Sequence, residues 1–595
     1  MEKLNSSQEE AVTKSEGRIL VLAGAGSGKT RVIIHRILHL LSKGTDPKQI
    51  LGLTFTNKAA EEMRMRLQSK VGKEVATEVT LSTFHSFCMK ILRKEIHHLG
   101  YTNEFSLYDD RDEKRLAEEV EFDEVRLKAC MRAHNAVTFD GLIQLTIQLF
   151  QEFPGILEKV QDRFRYLMID EYQDTNHSQF LLAELLSSKY NNICVVGDDD
   201  QSIYGWRGAE VKNILHFRAD HTIKLQENYR STSTILQAAN CLIKKNKNRH
   251  PKTLISYLGE GERIEIFHAA NEIEEATAIV TKVLEYAEKM PLNEIAILYR
   301  SNALSRNLES ALLQATYRKD GSWKRGLPYE IYGGLAFAER SEIKDLSAYL
   351  RLIANPLDQQ ALLRIINVPA RGISEKTLDT VTAYNRQKNL PLWNLLENLE
   401  VTVTDRAKAA IGNFVQLIHR AKRRFASQKL YEALQWLIQE IDYEKVIQNE
   451  ATTDKGQLFK RDNIQEFISN LAQYEEGAQN PSLQDFTSGY LLESTKAKKG
   501  GQDKNKLQLM TFHSAKGLEF TVCFLIGLED GIVPHEKGMQ ETSLEEERRL
   551  FYVAMTRAKR KLILSMARQR KKWGKDAPCT PSRFLLEIPK NLLIS

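Results

Sequence analysis

Residues 18–30 read RILVLAGAGSGKT. The run from Arg18 to Ala23 is continuously apolar after its first residue, as expected of a strand in a parallel sheet covered on both faces. It breaks into small residues and glycines, and RVIIHRILHLL (31–41) follows with helical spacing. Strand, glycine-rich turn and helix in that order gather backbone N–H groups and a helix N-terminus around one point, which suits a chain of phosphates. AGAGSGKT (23–30) fits the phosphate-loop pattern with Ala23 at its first glycine position. Ala23, Gly24, Ala25, Gly26, Ser27 and Gly28 are then expected to form the cradle for ATP. Lys29 is expected to reach the β- and γ-phosphates and Thr30 to ligate Mg²⁺.

Such a loop needs an acidic partner on another strand tip. MIDEYQD (168–174) supplies one after the apolar YLM. Asp170 is expected to hold Mg²⁺, and Glu171 to orient or deprotonate the attacking water. A water-activating glutamate favours hydrolysis over transfer to a small molecule.

Further strands are predicted at 50–55, 78–84, 165–170 and 192–198, with helical stretches between, such as AAEEMRMRLQSK (59–70). This is a doubly wound α/β pattern. The region from about 88 to 160 is highly charged, carries no clear strand and reads as inserted helices. Strand signals return at 263–267, 294–300 and 328–334, then give way to helical patterns such as 341–354 and 405–425. TKAKKGGQDKNK (495–506) reads as an exposed linker. Strands resume at 507–512, 521–527 and 561–565. The fold class read from this is α/β: two parallel sheets flanked by helices, each interrupted by a mostly helical insertion.

The 595 residues exceed one core. Net charge is +6, from 84 basic and 78 acidic residues, an excess that permits a polyanionic partner without demanding one. RQRKKWGK (568–575) is the densest basic run, and a solvated surface is its simplest reading. The six cysteines, at 88, 130, 194, 241, 523 and 579, show no CxxC spacing, so neither a zinc site nor a disulfide framework is indicated. The N-terminus lacks the apolar core of a signal peptide, and no run of about 18 apolar residues exists. A cytoplasmic setting and no membrane partner are expected.

VVGDDDQSIYGWRGA (195–209) sets acids and an amide beside aromatics and an arginine. The former suit a phosphate site and the latter nucleobases. Trp206, between Gly205 and Arg207, is a poor core residue.

GAGSGKT, DEYQD and DDDQSIYGWRGA, in this order and spacing, resemble the superfamily 1A DNA helicases of the UvrD/Rep/PcrA type. LNSSQ (4–8), TFTNKAAEEM (54–63), TFHSF (83–87), QENYRST (226–232), YGGLAFAERSEIKD (332–345), MTFHSAKGLEF (510–520) and EEERRLFYVAMTRA (545–558) extend the resemblance over nearly the whole chain. It implies two RecA-like motor domains with ATP in their cleft, and single-stranded DNA across both. It implies ATP-dependent 3′→5′ translocation and unwinding, with single-stranded and 3′-tailed duplex DNA as partners and a monomer or weak dimer as the working form. The implied boundaries are 1–87 and 161–227 for the first motor domain and 228–337 and 501–595 for the second. The insertions are 88–160, shortened, and 338–500.

Family roles carry over position by position. Gln8 would read the adenine edge, with Arg31 and Tyr229 on its faces. Arg230 and Arg557 would act as arginine fingers on the γ-phosphate. Glu519 would contact ribose, and Gln201 the γ-phosphate or its water. Phe55, His85, Tyr204, Trp206 and Arg207 would line the DNA; His513 and Lys516 would contact its phosphates or couple the two sites. Asp198 to Asp200 would order their loop or sit near the metal.

The interval between TFHSF and DEYQD is shorter than in longer relatives. ATYRKDGSWKRGLPYEIYGG (315–334) carries a small basic insertion, most simply a solvated hairpin around Arg318, Lys319, Lys324 and Arg325. The chain stops just after the second motor domain, so no partner-binding tail or nuclease segment is expected. A translocase that strips proteins from DNA with little unwinding is the alternative activity. A binding switch without motor action would need a degraded catalytic set, and none of its members is missing.

Overall fold

The computed structural model describes residues 4–594, apart from 109, 320–321, 333–339, 389–390, 399–402, 452–453, 488–504, 542 and 573–574. Most of the expected linker (495–506) and part of YGGLAFAER therefore lie outside the described residues. The chain divides into two compact units: residues 1–84, 154–334 and 499–595, and residues 85–153 and 335–498.

The first unit holds two parallel sheets, as a pair of RecA-like domains requires. Across the first sheet the strands run Thr80–Thr83, Ile50–Thr54, Tyr166–Ile169, Ile193–Gly197, Arg18–Ala23 and His221–Leu225. Leu20 stands in register with Val195 on one side and Thr222 on the other. The inner strands are buried along their length, and each buried Leu, Ile or Val contributes about 1.5–3 kcal/mol. His221–Leu225 was not among the expected strands: on the edge it alternates exposed and buried, and HTIKL lacks the apolar run of its neighbours. Because the strands are parallel, their C-terminal tips bring Gly24, Phe55, Asp170 and Asp198 to one edge.

Across the second sheet the strands run Tyr329–Tyr332, Leu507–Thr511, Ile295–Tyr299, Phe520–Leu525, Ala558–Lys572, Ile264–Asn271 and Leu593–Ile594. Lys575–Pro578 folds back antiparallel on the end of Ala558–Lys572. Within the basic run 568–575, Arg568 and Gln569 are exposed, as a solvated surface expects, and Arg570 is not. Arg570 is buried there, paired with Glu529 at 2.7 Å and with Glu275, because the long strand carries it under its own sheet.

The second unit is mainly helical. Ile343, Leu346, Leu350 and Ile353 of Ser341–Ala354 share one buried cluster with Ile411, Phe414, Ile418 and Ala421 of Asp405–Ser427. Both sets have the 3–4–3 spacing of an apolar helix stripe. The expectation of no strand between 88 and 160 is corrected: Ser106–Tyr108 and Ala136–Thr138 form a two-stranded parallel sheet. Three residues each is too short for a periodic signal. The two insertions join here, where Asn355 Nδ2 donates to Ser106 Oγ at 2.7 Å and Arg351 bridges Asp112 and Asp358. No described helix is long and apolar enough to cross a membrane.

Candidate nucleotide and nucleic-acid site

The glycine loop leaves Arg18–Ala23 and enters the helix Lys29–Ser42. Gly28 caps that helix with φ 87° and no side-chain bond, so the first-turn N–H groups stay open to an anion. Gly26 has φ 64°, and a Cβ there would stand 2.7 Å from the Asn228 amide and 2.8 Å from Arg230 Cβ. Loop carbonyls are held from outside: Gln8 Nε2 donates to Ser27 O at 2.9 Å, and Asn228 Nδ2 to Ala25 O at 2.6 Å. Ala23 and Ala25 are buried beneath the loop, and Ser27 Oγ closes it onto Gly24 O at 2.8 Å. Asn5 caps its helix in a box with Gln8, which fixes the Gln8 side chain against the loop. Thr30 and Arg31 lie on the first turn of the following helix. The Tyr229 N–H donates to Gly26 O at 3.0 Å, and its ring lies 5.1 Å from Tyr257, an exposed aromatic that sequence reasoning passed over.

Asp170 and Glu171 follow the strand Tyr166–Ile169. Glu171 adopts φ 52°, a strained conformation for a non-glycine residue, and lies 3.4 Å from Lys29 Nζ. Burial and the neighbouring Glu171 carboxylate push the Asp170 carboxyl up to about 7. Burial acts the same way on Glu171, but Lys29, Lys516 and a 2.6 Å bond from Gln173 Nε2 outweigh it and hold that group down at about 2. A divalent cation beside Asp170 would relieve both the burial and the repulsion, so the pair fits Mg²⁺.

Gln201 is 4% exposed. Its Nε2 donates to Asp198 Oδ2 at 2.6 Å, and its Oε1 accepts from Arg557 Nη2 at 3.3 Å. Arg557 is buried, and its other donors meet Val553 O, Leu518 O and Thr556 Oγ1. No carboxylate pairs with it among the described residues. Burial, then the neighbouring Arg230, hold its pKa down at about 9. A guanidinium with only neutral acceptors is a cost that a phosphate would remove. Arg230 instead pairs with Glu519 at 2.7 Å.

Lys516 does not present its ammonium to solvent. It forms a buried ion pair with Asp174, donates to Gln201 O at 2.7 Å and stands 5.1 Å from the Tyr204 ring centroid. The Arg207 guanidinium lies 4.6 Å from the Trp206 ring, which is 52% exposed. Trp206 meets His513 edge to face at 6.3 Å. Burial, then Arg300, Arg207 and Lys516, hold His513 down at about 3, so it is neutral at pH 7 and carries no charge for a phosphate. Phe55 packs edge to face on Phe84 at 6.3 Å. His85 belongs to the other unit, against Phe139 at 6.2 Å.

Asp198, Asp199 and Asp200 are buried around Lys252, whose Nζ lies 3.0, 2.6 and 2.8 Å from them. Lys252, Asn228, Gln173 and Glu546, which accepts from Gly205 N at 3.0 Å, were not singled out in the sequence. Lys252 and Glu546 meet partners far along the chain, which no local pattern marks, whereas Gln173 and Asn228 stand inside DEYQD and QENYRST and bond across the fold to Asp198 N and Ala25 O.

A glycine cradle with a lysine, a carboxylate pair at a strand tip and two arginines, Arg557 from the mouth of the second sheet and Arg230 from the segment after Glu227–Asn228, define a P-loop nucleoside triphosphatase of paired RecA-like sheets. Comparison with known families is specific. The model described as UvrD/REP helicase N-terminal domain matches residues 4–129 and 123–222, and that described as UvrD-like helicase C-terminal domain matches 223–569. The chain belongs to the UvrD-like helicase family. It is 37% identical over 651 residues to the ATP-dependent DNA helicase PcrA of Bacillus subtilis strain 168, covering 99% of this chain and 86% of that one. The proteins of the same name from Staphylococcus aureus strain Mu50 and Staphylococcus epidermidis are also 37% identical, covering 99% and 100% of this chain and 87% of each relative.

Proposed function

We propose that this ATP-hydrolysing DNA helicase moves 3′→5′ on single-stranded DNA and opens 3′-tailed duplexes, driven by Mg-ATP hydrolysis between its two sheets. The observation that carries the coupling is the single Lys516 ammonium. It touches Asp174 and Gln201 on the nucleotide side and lies against Tyr204 on the aromatic side.

Lys29 binds the phosphate chain from the glycine loop, and Arg230 and Arg557 approach it from later in the chain, neutralising charge that grows in phosphoryl transfer. Glu171, held ionised, is the base that orients water. Thr30 and Asp170 would hold Mg²⁺, which supplies charge neutralisation on phosphate oxygens. Gln8, Arg31 and Tyr229 read the base, and Glu519 the ribose. Tyr204, Trp206, Arg207 and Phe55 give a DNA track that stacks on any base, with His513 as a neutral support for Trp206. Loss of the γ-phosphate shifts Gln201, and Lys516 passes that shift to Tyr204. The direction of travel rests on the family resemblance, and the bacterial relatives support a cytoplasmic setting.

Unwinding of 3′-tailed and 5′-tailed duplexes, with Lys29→Ala as control, tests this reading. Equal opening of both tails overturns the polarity, and absent DNA stimulation overturns the motor. The short interval between TFHSF and DEYQD favours a second reading, a translocase that displaces proteins and unwinds poorly; robust unwinding by the monomer removes it.

A further inference from the structure

Between the helix Ser233–Ile243 and the strand Ile255–Ser256 lies KKNKNRHPKT (244–253). It reads as an exposed basic connection, yet Lys252 has a side chain only 2% exposed. Its ammonium is surrounded by Asp198, Asp199 and Asp200 at 3.0 Å or less. Arg249 adds two bonds to Asp200, at 2.8 and 2.7 Å, and the His250 N–H one to Asp199 at 2.9 Å. Three buried carboxylates share two cations, and removing either cation leaves an acid buried without its counter-charge.

Asp198 is the member that leads outward. One oxygen faces Lys252, and the other accepts the Gln201 amide at 2.6 Å. Its backbone N–H donates to Gln173 Oε1 at 2.9 Å. An amide side chain can present either end to a partner; an ionised acceptor on Nε2 selects one end. With Nε2 bound to Asp198, Gln201 turns Oε1 towards Arg557.

We propose that Lys252 is a positioning residue for ATP hydrolysis. By fixing Asp198 as an ionised acceptor it sets the orientation of the Gln201 amide towards Arg557. This rests on the reading of Gln201 as the γ-phosphate contact. On the motor-domain boundaries implied by the resemblance, Lys252 lies with Arg230 in the second domain and Gln201 with Lys29 in the first. The γ-phosphate contact is thereby oriented from across the cleft. Lys252 lowers the Asp198 carboxyl against the opposing effect of burial, in keeping with this arrangement.

Steady-state ATPase with saturating oligo(dT) tests the proposal on the full chain. For Lys252→Gln, kcat is expected to fall about tenfold while KM for ATP stays within about twofold. Asp199→Asn touches the same lysine but not Gln201, and is expected to keep kcat within about twofold. The decisive arm is a double-mutant cycle: Lys252→Gln added to Gln201→Ala should cost nothing further. Multiplicative losses, or a rise in KM that matches the fall in kcat, overturn the positioning role. If Lys252→Gln does not fold, Lys252→Arg keeps the charge with altered reach, and the same cycle with Gln201→Ala decides. If Gln201→Ala alone hydrolyses ATP normally, the reading of Gln201 fails. A lowered kcat in Lys252→Gln on the normal Gln201→Ala background would then mark a role for Lys252 that does not pass through Gln201, and overturn this proposal separately.

Discussion

The Arg557 guanidinium, from the loop that opens the strand Ala558–Lys572, lies 3.3 Å from the Gln201 side-chain oxygen, 356 residues earlier in the chain. Arg557 is 1% exposed and, among the described residues, meets only neutral acceptors. No carboxylate pairs with it among the described residues, and on the proposed function the γ-phosphate would supply the anion. Arg557→Ala is therefore expected to lower DNA-stimulated kcat by about 10³, the scale of an arginine finger. Oligonucleotide affinity should stay near wild type. Single-turnover hydrolysis checks it; a loss under tenfold would show that Arg557 serves packing instead.

Lys516 joins Asp174 and Gln201 O while lying against Tyr204. Lys516→Met leaves Asp174 buried without its cation, and burial already pushes that carboxyl up to about 6. Stability is expected to fall by about 3–5 kcal/mol, as for a broken buried pair. Lys516→Met with Asp174→Asn should recover most of that in chemical denaturation. It should not recover stimulation of hydrolysis by DNA, because the contact with Tyr204 stays lost.

Trp206 is half exposed, backed by His513 and flanked by Arg207. Trp206→Ala should weaken single-strand binding by about 1–3 kcal/mol, the worth of one stacked base. Hydrolysis without DNA should be unaffected. Anisotropy with labelled oligo(dT) reads the first, and translocation at saturating DNA the consequence; normal translocation would remove Trp206 from the track.

His513 is held down at about 3 by burial and nearby cations, against an ordinary value of 6.5. Between those values the unfolded chain binds a proton that the folded one does not. Stability is then fully present above about pH 6.5 and declines as pH falls below it. His513→Asn should show a shallower loss of stability between about pH 6.5 and 5, by about 1–2 kcal/mol after allowance for partial exposure. Urea denaturation at the two pH values measures the difference.

The first sheet was legible because RILVLA and NICVVGD are buried on both faces and so are apolar throughout. His221–Leu225 escaped because an edge strand needs no such run. Ser106–Tyr108 and Ala136–Thr138 escaped because three residues carry no period.

The sequence by itself determined the local chemistry: a glycine loop before Lys29, paired acids at 170 and 171, and aromatics with an arginine at 204–207. Those groups act through neighbours within a few residues, so their order along the chain is enough to recognise them. Only the tertiary structure decided which distant charges meet. Asp198 to Asp200 read as loop-ordering residues or metal neighbours, and Lys252, 52 residues beyond Asp200, stands among them; Lys516 reads as a phosphate contact or a link between the two sites, and Asp174 stands on it. A charge buried away from water must find its counter-charge wherever packing brings one, and sequence spacing does not record that meeting.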